Sequence, residues 1–490
     1  MNVLLVYPQN PDTFWSFKHV LQFVSKRSTF PPLGLLTVAA MLPAEWDLRL
    51  VDMNVERLKD SELRRADFVM VSAMIVHRSS VMEIVSRCRA MGKPIIAGGP
   101  LFTTGHEDFP EIEHFVLGEA EELMPQLIAD MRAGTVRREY VADGRPDVRH
   151  VPVPRWDLIN LRHYVTMAVQ FSRGCPYDCE FCDIIVMNGR VPRTKSPDQL
   201  LRELEALRRR GWRDMVFVVD DNFIGDKKKT LSLLDELIAW RQETHPSMGF
   251  FTEASVNLAD DPILCDRMVK AGFKRVFVGI ETPVSGSLQE CHKLQNQSRD
   301  LVEAVRTLQR AGLEVMGGFI VGFDHDQQDI FKRQFEFIQR SGVVMAMVGL
   351  LQALPQTRLH QRLRSEGRLE SAASGNNTEA VLNFQTRLNR EFLQNGYRDL
   401  MKKLYEPKVY YQRIRTFLEH HRPRGPRLRL SGSDFQAFLK SFWLLGIWDR
   451  GRHNYWRFFW GVLLRRPQQL RCAIELAIMG YHFRCVASRL

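Results

Sequence analysis

The chain has 490 residues, 45% of them hydrophobic and 26% charged, which excludes a disordered polymer and leads one to expect two or three domains. Its eight cysteines are spread thinly apart from one cluster of three, which excludes a secreted disulfide framework, and no apolar run approaches the roughly 18–20 residues of a membrane span. The net charge of +11 belongs to the end of the chain: positions 401–490 hold 18 Lys and Arg against 5 Asp and Glu, a net of +13, so the other 400 residues sum to −2 and an acidic partner is expected to meet the C-terminal segment.

The N-terminus, MNVLLVYPQNP, has no basic leader and no small-residue cleavage site, so no signal peptide is expected and the chain reads as cytoplasmic. Short apolar runs at Val3–Tyr7, Leu48–Asp52, Phe68–Ser72, Ile95–Ala97 and Phe115–Leu117 read as buried strands. Amphipathic stretches at Leu33–Leu42, Val81–Met91 and Glu121–Met131 read as helices between or after them. This alternation predicts a doubly wound parallel sheet of the Rossmann or flavodoxin type over residues 1–140. Such sheets bind ligands at the strand carboxyl ends, here Pro8–Asn10, Asp52–Asn54, Ser72–Met74, Gly98–Pro100 and Gly118–Glu119.

Residues 141–165, with the Pro- and charge-rich stretch Asp143–Trp156, read as a linker. A second strand–helix series follows over 166–349. Strands are expected at Met167–Ser172, Met215–Val219, Phe250–Ala254, Arg275–Ile280, Val315–Val321 and Val343–Gly349, with helices such as Pro197–Arg210, Lys228–Thr244 and Arg299–Ala311 between them. Six such units predict a partial (β/α)6 barrel with its chemistry at the carboxyl ends of the strands. Residues 350–490 read as a mainly helical domain rich in Arg and aromatic residues.

Directly after the first barrel strand stands Phe171-Ser-Arg-Gly-Cys175-Pro-Tyr-Asp-Cys179-Glu-Phe-Cys182. Three thiolates at C-x3-C-x2-C spacing suit three irons of a 4Fe–4S cluster, leaving the fourth iron open to another ligand. The alternatives are a zinc knuckle, for which no fourth Cys or His lies nearby in sequence, and three unrelated thiols. With Phe181 before the third cysteine, the motif resembles that of the radical SAM superfamily. The resemblance implies S-adenosylmethionine (SAM) bound at the open iron. It places Asp220, Asp221 and Asn222 near the SAM amino group, Glu253, Ser255 and Asn257 near the ribose, Glu281 at the end of the fourth strand, and Gly318, Ile320 and Gly322 along the adenine. Taken singly, an acid at a strand end is as often only a helix cap.

A doubly wound domain ahead of such a barrel resembles the cobalamin-binding radical SAM enzymes. Tyr7-Pro8 closes the first strand, Pro31-Pro-Leu-Gly34 enters the first helix, and Ser72-Ala-Met74 with Gly98-Gly99 resembles the elements lining the cobalamin tail pocket. Gly118, Asp52 and Asn54 join this candidate set. Where many cobalamin domains carry D-x-H-x-x-G, this chain has Asp52-Met-Asn54-Val-Glu-Arg57, so cobalt would have no His ligand there. His77, Arg78 and Tyr7 stand at strand ends facing the presumed cofactor. Lone histidines such as His106, His292 and His325 read as surface or capped residues. The alternative is a sheet that only supports the barrel.

Gly349-Leu-Leu-Gln-Ala-Leu-Pro-Gln-Thr-Arg-Leu-His360, Gly375-Asn-Asn-Thr378 and Asn383-Phe384 resemble the extension of a subgroup that includes hopanoid methylases and related lipid- or pigment-modifying enzymes. The implied activity is cobalamin-dependent methylation of an unactivated carbon on an apolar polycyclic substrate. In that scheme one SAM supplies the methyl group by way of cobalamin, and a second is cleaved to a deoxyadenosyl radical that abstracts hydrogen. The alternatives are radical ring formation, rearrangement or oxidation, and methylation of a tetrapyrrole pigment. An RNA methylthiotransferase would want a second cysteine cluster in the first domain, which has only Cys88, and a non-catalytic cobalamin sensor would leave the cysteine triad unexplained. The implied electron donor is a flavodoxin or ferredoxin. Trp443, Trp448, Trp456 and Trp460, among Phe438, Phe442, Phe458 and Phe459, interleave with Arg450, Arg452, Arg457, Arg465 and Arg466. That pattern fits peripheral docking at the inner face of the cell membrane as well as ordinary helix packing. No RNA-binding module is visible, so nucleic acid is not the expected partner.

Overall fold

Apolar residues fill both faces of the first strands, and each face buries into its own core. On β1 (Asn2–Tyr7), Val3 and Leu5 enter one cluster while Leu4 and Val6 enter another. A strand buried on both sides belongs inside a parallel sheet covered by helices on either face. The computed structural model, which describes residues 1–244, 246–425 and 432–490, has that sheet. With β2 (Asp47–Asp52), β3 (Phe68–Ser72), β4 (Ile95–Gly98), β5 (His114–Leu117) and β6 (Glu139–Val141), it runs fully parallel in the order β2-β1-β3-β4-β5-β6. Strand β6 has no counterpart in the sequence reading. Only Tyr140 of its three residues is buried, so no apolar run announces it.

The second sheet takes β7 (Met167–Val169), β10 (Met215–Val218), β11 (Gly249–Ala254), β12 (Phe273–Glu281), β13 (Glu314–Val321) and β14 (Ala346–Leu350). They pair in parallel in the order β7-β10-β11-β12-β13-β14, and the end strands do not pair, which makes an open six-stranded barrel. Between the first two, a two-stranded antiparallel ribbon, β8 (Ser172–Arg173) with β9 (Arg193–Thr194), brackets the cysteine loop. Helices such as Pro197–Arg209, Leu301–Ala311 and Ile330–Ser341 cover the outside.

The segment read as a linker is clamped at several points. Trp156 and Tyr164 are each only 1% exposed. The Tyr164 hydroxyl donates to Asp52 Oδ2 at 3.0 Å, and Gln199 Nε2 donates to the carbonyls of Val148 and Val151. Trp15 and Phe30 of the first domain reach the barrel, Trp15 meeting Phe277 edge-on at 5.3 Å and Phe30 lying 5.6 Å from Phe217. The C-terminal helix Leu470–Ala487 closes the triangle: Phe483 stacks on Phe14 at 4.2 Å, and Arg275 of β12 pairs with Glu475. The carboxyl ends of the first sheet therefore face the carboxyl ends of the barrel.

Candidate active site

The cysteine loop is braced from three directions. From β10's carboxyl end, Asp220 accepts hydrogen bonds from the backbone N–H of Phe171 (2.8 Å) and Ser172 (2.9 Å) and from the Ser172 hydroxyl (2.7 Å). Asp221 accepts from Gly174 N–H (2.7 Å) and Asn188 Nδ2 (2.8 Å). Burial pushes Asp220 up to about 7 against those bonds, and it pushes Asp221 upward as well. Both carboxyls thus serve the chain's own loop. From the first domain, Glu119 and Glu121 pair with Arg173 at 2.5 and 2.7 Å, and Glu119 also pairs with Arg193 at 2.5 Å. From the C-terminal region, the helix Arg358–Ser365 takes Glu180 in a two-pronged bond with Arg362 (2.6 and 3.1 Å) and pairs Arg358 with Asp178.

The sulfurs meet amide and ammonium groups. Asn222 Nδ2 lies 3.7 Å from Cys175 Sγ, and Gln295 Nε2 lies 3.7 Å from Cys179 Sγ. Burial raises the Cys175 and Cys182 thiols above the ordinary range. Among the described residues no three His, Cys, Asp or Glu side chains converge on a single ion, so the trio is not a preformed mononuclear site. Lys293, nine-tenths buried, bonds Glu281 at 2.7 Å and stands 5.9 Å over the Phe181 ring. Burial works against its charge, but Glu281 and the thiols of Cys179 and Cys182 outweigh it and drive the ammonium pKa upward. Glu281 takes φ 63°, a costly conformation for a non-glycine residue, and Gln334 Nε2 holds its carbonyl at 2.9 Å. A Cβ on Gly279 would fall on the Glu281–Lys293 pair. Sequence reasoning missed Lys293 and Gln295; their one signal was a position in the loop after β12.

Across the barrel mouth, Asn222, Ser255 and Asn257 form a chain: Asn222 Nδ2 donates to Ser255 Oγ at 3.2 Å, and the Ser255 hydroxyl donates to Asn257 Oδ1 at 2.6 Å. The Glu253 carbonyl accepts from Phe223 N–H at 2.9 Å, but its carboxyl makes no hydrogen bond to the described residues. Burial, with the neighbouring Asp221 charge, pushes it up to about 8. Gly318 backs onto the Phe277 ring, where a Cβ would collide. Phe181 lies 6.2 Å from Phe323, the Ile320 carbonyl accepts from Gln334, and Gly322 N–H donates to Asp326.

On the facing sheet, Asp52 is buried and bonded to Asn54 and Tyr164, and Asn54 ties Pro8 to Asn10. His77 is also committed. Its Nδ1 accepts from Met74 N–H at 3.2 Å, so Nε2–H donates to Asn10 Oδ1 at 2.6 Å, and burial lowers its pKa to about 4. Tyr7 meets the His77 ring edge-on at 5.2 Å, and Arg78 pairs with Asp108. His77 is therefore a neutral structural residue. Gly99, at φ 94°, lies against Ser72 and Ala73, where a Cβ would come within 2.9 Å of Ser72 Oγ. Gly118, at φ 95°, donates its N–H to Thr103. Ser72, Gly98, Gly99 and Gly118 carry small or absent side chains at the strand ends, and Met74 is 44% exposed beside them.

Comparison with known proteins joins these parts. A radical SAM superfamily model matches residues 169–338 and a B12 binding domain model matches 23–128. The chain is 40% identical over 489 residues to an uncharacterised methyltransferase of Synechocystis sp., covering 99% of this chain and 91% of the relative. It is 33% identical over 478 residues to the hopanoid C-2 methylase of Rhodopseudomonas palustris, covering 95% and 89%. The chain belongs to the cobalamin-dependent radical SAM methyltransferases. Residues 357–490 of this methyltransferase match a domain of unknown function, DUF4070. Its fold is that of the cobalamin-dependent SAM radical enzyme OxsB (TM-score 0.64, 15% identity, covering 100% of this chain and 79% of that one) and of the methyltransferase TsrM from Kitasatospora setae (TM-score 0.60, 15% identity, 97% and 99%).

The cofactors of this family are a 4Fe–4S cluster, SAM and cobalamin. The chain's own donors suit them. Three neighbouring thiols, Cys179 buried and Cys175 and Cys182 half-buried, with amide N–H groups aimed at two of the sulfurs match a cluster, whose sulfurs favour such donors. The unbonded Glu253 carboxyl offers hydrogen-bonding capacity to a hydroxyl-bearing ligand. The small residues at the first sheet's carboxyl ends leave room for a bulky planar group, with His77 turned to other partners.

Proposed function

We propose that this methyltransferase adds a methyl group to an unactivated carbon of an apolar polycyclic lipid of the hopanoid class. The observation that carries the substrate class is the relationship to hopanoid C-2 methylase, which spans 95% of the chain and so takes in the C-terminal region as well as both cofactor domains. Apolar side chains at the meeting of the two sheets support it. Trp15 packs against Phe277 and Phe30 against Phe217. Met347 lies beside Asn377, and Gly375 two residues earlier presses on Ile75, which follows the exposed Met74.

Cys175, Cys179 and Cys182 would hold three irons. When bound, the cluster and SAM supply a carbon-centred radical, which a saturated carbon needs because it offers no acidic proton and no ionic attack site, and cobalamin supplies the methyl group. Lys293, held by Glu281, places a fixed positive charge beside the cysteines for a carboxylate. Glu253 and Ser255 offer hydrogen bonds to ribose hydroxyls, and the backbone of Gly318, Ile320 and Gly322 lines the adenine side with Phe181. Asp220, Asp221 and Asn222 act one step back, by fixing the loop. Tyr7, Asp52, Asn54, Ser72, Met74, Gly98, Gly99 and Gly118 shape the cobalamin crevice.

The test is anaerobic reconstitution with iron, sulfide and cobalamin, incubation with SAM, a reductant and a hopanoid such as diplopterol, and mass spectrometry of the lipid. A gain of one methylene unit with deoxyadenosine release supports the reading. Deoxyadenosine release with an unchanged carbon count on every lipid, or methylation confined to a tetrapyrrole, removes it.

A further inference from the structure

The C-terminal region turns an apolar face outward that none of the described residues covers. In the helix Gly432–Trp443 and the π-turn Leu444–Trp448 that continues it, Ala437, Ser441 and Leu445 are buried, while Phe435, Leu439, Trp443 and Ile447 repeat every fourth position on the opposite side, between 52% and 65% exposed. Trp448, 69% exposed, stands 6.3 Å from Trp443. The next helix, Arg452–Arg465, buries Tyr455, Phe458, Phe459 and Val462 and points Trp460 and Leu464, 52% and 80% exposed, away from that core. Trp456 bridges the two outward faces: it stacks on Trp460 at 6.4 Å and meets Phe442 edge-on at 5.2 Å. Seven large apolar side chains are thus exposed on two helical segments that pack on each other through Phe442 and Trp456, more than isolated surface hydrophobes warrant.

Cations border this surface without acidic partners. Arg450, Arg452, Arg457 and Arg465 make no ion pair with the described residues, although most arginines elsewhere in the structure are matched to carboxylates. One helical turn before Trp460 and two before Leu464, Arg457 enters a surface pocket of about 440 Å³ that Lys408 and Arg415 also line, three cations against the single carboxylate of Glu406. Burial lowers the pKa of Arg415, and the neighbouring Arg457 and Arg465 lower it further, as like charges crowded together do. Tryptophan with an arginine rim is the composition that settles at the headgroup level of a bilayer. The charge asymmetry fits an acidic surface in particular, because the last 90 residues carry +13 while the rest of the chain carries −2.

We propose that this face docks on an anionic lipid bilayer, with Phe435, Leu439, Trp443, Ile447, Trp448, Trp460 and Leu464 entering the interface and the pocket of Lys408, Arg415 and Arg457 taking a lipid phosphate. Docking is peripheral: no helix of the described residues is long and apolar enough to cross a membrane. It stands on the surface alone and is independent of the substrate reading, although a bilayer is where an apolar lipid would be met.

The experiment uses the reconstituted holoenzyme in flotation assays with vesicles of phosphatidylcholine alone and of phosphatidylcholine and phosphatidylglycerol in equal parts. Co-flotation with the anionic vesicles, reversed by high salt and accompanied by a blue shift of tryptophan emission, is expected. The double variant R457Q/R465Q should weaken the partition roughly tenfold or more, since each cation near an anionic surface is worth about a factor of five. W443A/W460A should abolish it with the cluster absorbance and deoxyadenosine release kept, which separates loss of docking from loss of fold. Failure to float with either vesicle overturns the proposal, as does equal flotation with both vesicles that R457Q/R465Q leaves unchanged. Concentration-dependent dimerisation that W443A/W460A abolishes while vesicles recruit nothing also overturns it, by making the face a contact between copies of this chain. Hopanoid methylation assayed in detergent reads the substrate proposal separately from either result.

Discussion

Lys293 shows how a single buried charge organises this site. Its partner Glu281 sits in a backbone conformation that costs on the order of 1–3 kcal/mol, and a glycine at 279 makes room for the pair. Strain at a residue that holds a cation beside the cysteines is the observation behind the cofactor role proposed for the pair. Replacing Lys293 with Gln should leave Glu281 buried and unpaired, costing roughly 3 kcal/mol of stability, and should lower deoxyadenosine release by about 10²-fold or more. Lys293→Arg should recover most of the stability. Electron paramagnetic resonance should still find the cluster in both variants; unchanged deoxyadenosine release in Lys293→Gln would sink the role given to the charge. Asn222 and Gln295 lend themselves to a second measurement. An N–H donor on a cluster sulfur favours the reduced form, so Gln295→Leu should move the cluster midpoint potential to a more negative value while the iron content stays constant. At this scale the sequence was informative where chemistry demands a spacing, as in Cys175, Cys179 and Cys182. It was silent where a role depends on a loop folding back. Lys293 and Gln295 lie more than 110 positions from the cysteines they face, and no local pattern distinguishes them from surface residues.

The elements themselves were legible because each carries its own signal. Strands β1 to β5 read as apolar runs, and the expected barrel helices Pro197–Arg210 and Arg299–Ala311 stand at Pro197–Arg209 and Leu301–Ala311, where the structure adds the N-caps Ser196 and Asp300. Two kinds of strand escaped. Strand β6 has a single buried side chain, and the ribbon of β8 and β9 is two residues a side, too short for any periodicity. That ribbon nevertheless carries Arg173 and Arg193, which lock the cysteine loop to the first domain through Glu119 and Glu121. All four side chains are mostly buried, so the network is worth far more than exposed pairs of the same geometry. Glu119→Gln should leave two arginines short of a partner and destabilise the chain by about 3–5 kcal/mol. Thermal denaturation should record that loss, and reconstituted iron per chain should fall with it. An exposed pair such as Arg202–Asp198 is the control, and Asp198→Asn should change stability by less than about 0.5 kcal/mol. Equal effects from the two substitutions would show that the ribbon does not couple the domains.

At the scale of the whole molecule, the two sheets meet carboxyl end to carboxyl end, and the groups buried on the way set how stability responds to pH. The relative placement of the domains had no local signature, since it rests on separated pairs such as Phe14 with Phe483, Trp15 with Phe277 and Tyr164 with Asp52. Burial at these contacts and in the barrel keeps ionisable groups neutral. His77, His421 and His482 are each lowered to about 4, while Asp220 and Glu253 are raised to about 7 and 8 and Asp326 to about 6. A histidine lowered by folding stays neutral while the unfolded chain takes up a proton, so it destabilises as pH falls from 6.5 toward 4. A carboxyl raised by folding keeps its proton while the unfolded chain has lost it, so it destabilises as pH rises from about 4 toward its folded value. Between pH 4 and 6 three histidines and three acids therefore oppose one another. Above 6.5 the histidines are neutral in both states, and the raised carboxyls are left, with Asp220 and Glu253 reaching furthest at about 7 and 8. Each is worth at most about 1.4 kcal/mol per pH unit, and less for Glu253, whose side chain keeps some solvent contact. The melting temperature of the cofactor-free protein is thus expected to change little across the acid range and to fall from pH 6.5 to 8. Glu253→Gln removes the titration that runs furthest, to about 8 against about 7 for Asp220, and should remove at least half of that alkaline fall. Bound SAM gives the Glu253 carboxyl a hydroxyl partner under the proposed assignment, so the ligand should protect the wild type more than the variant. A wild-type alkaline fall that survives Glu253→Gln at full size would place the titration elsewhere and leave the ribose assignment without its support.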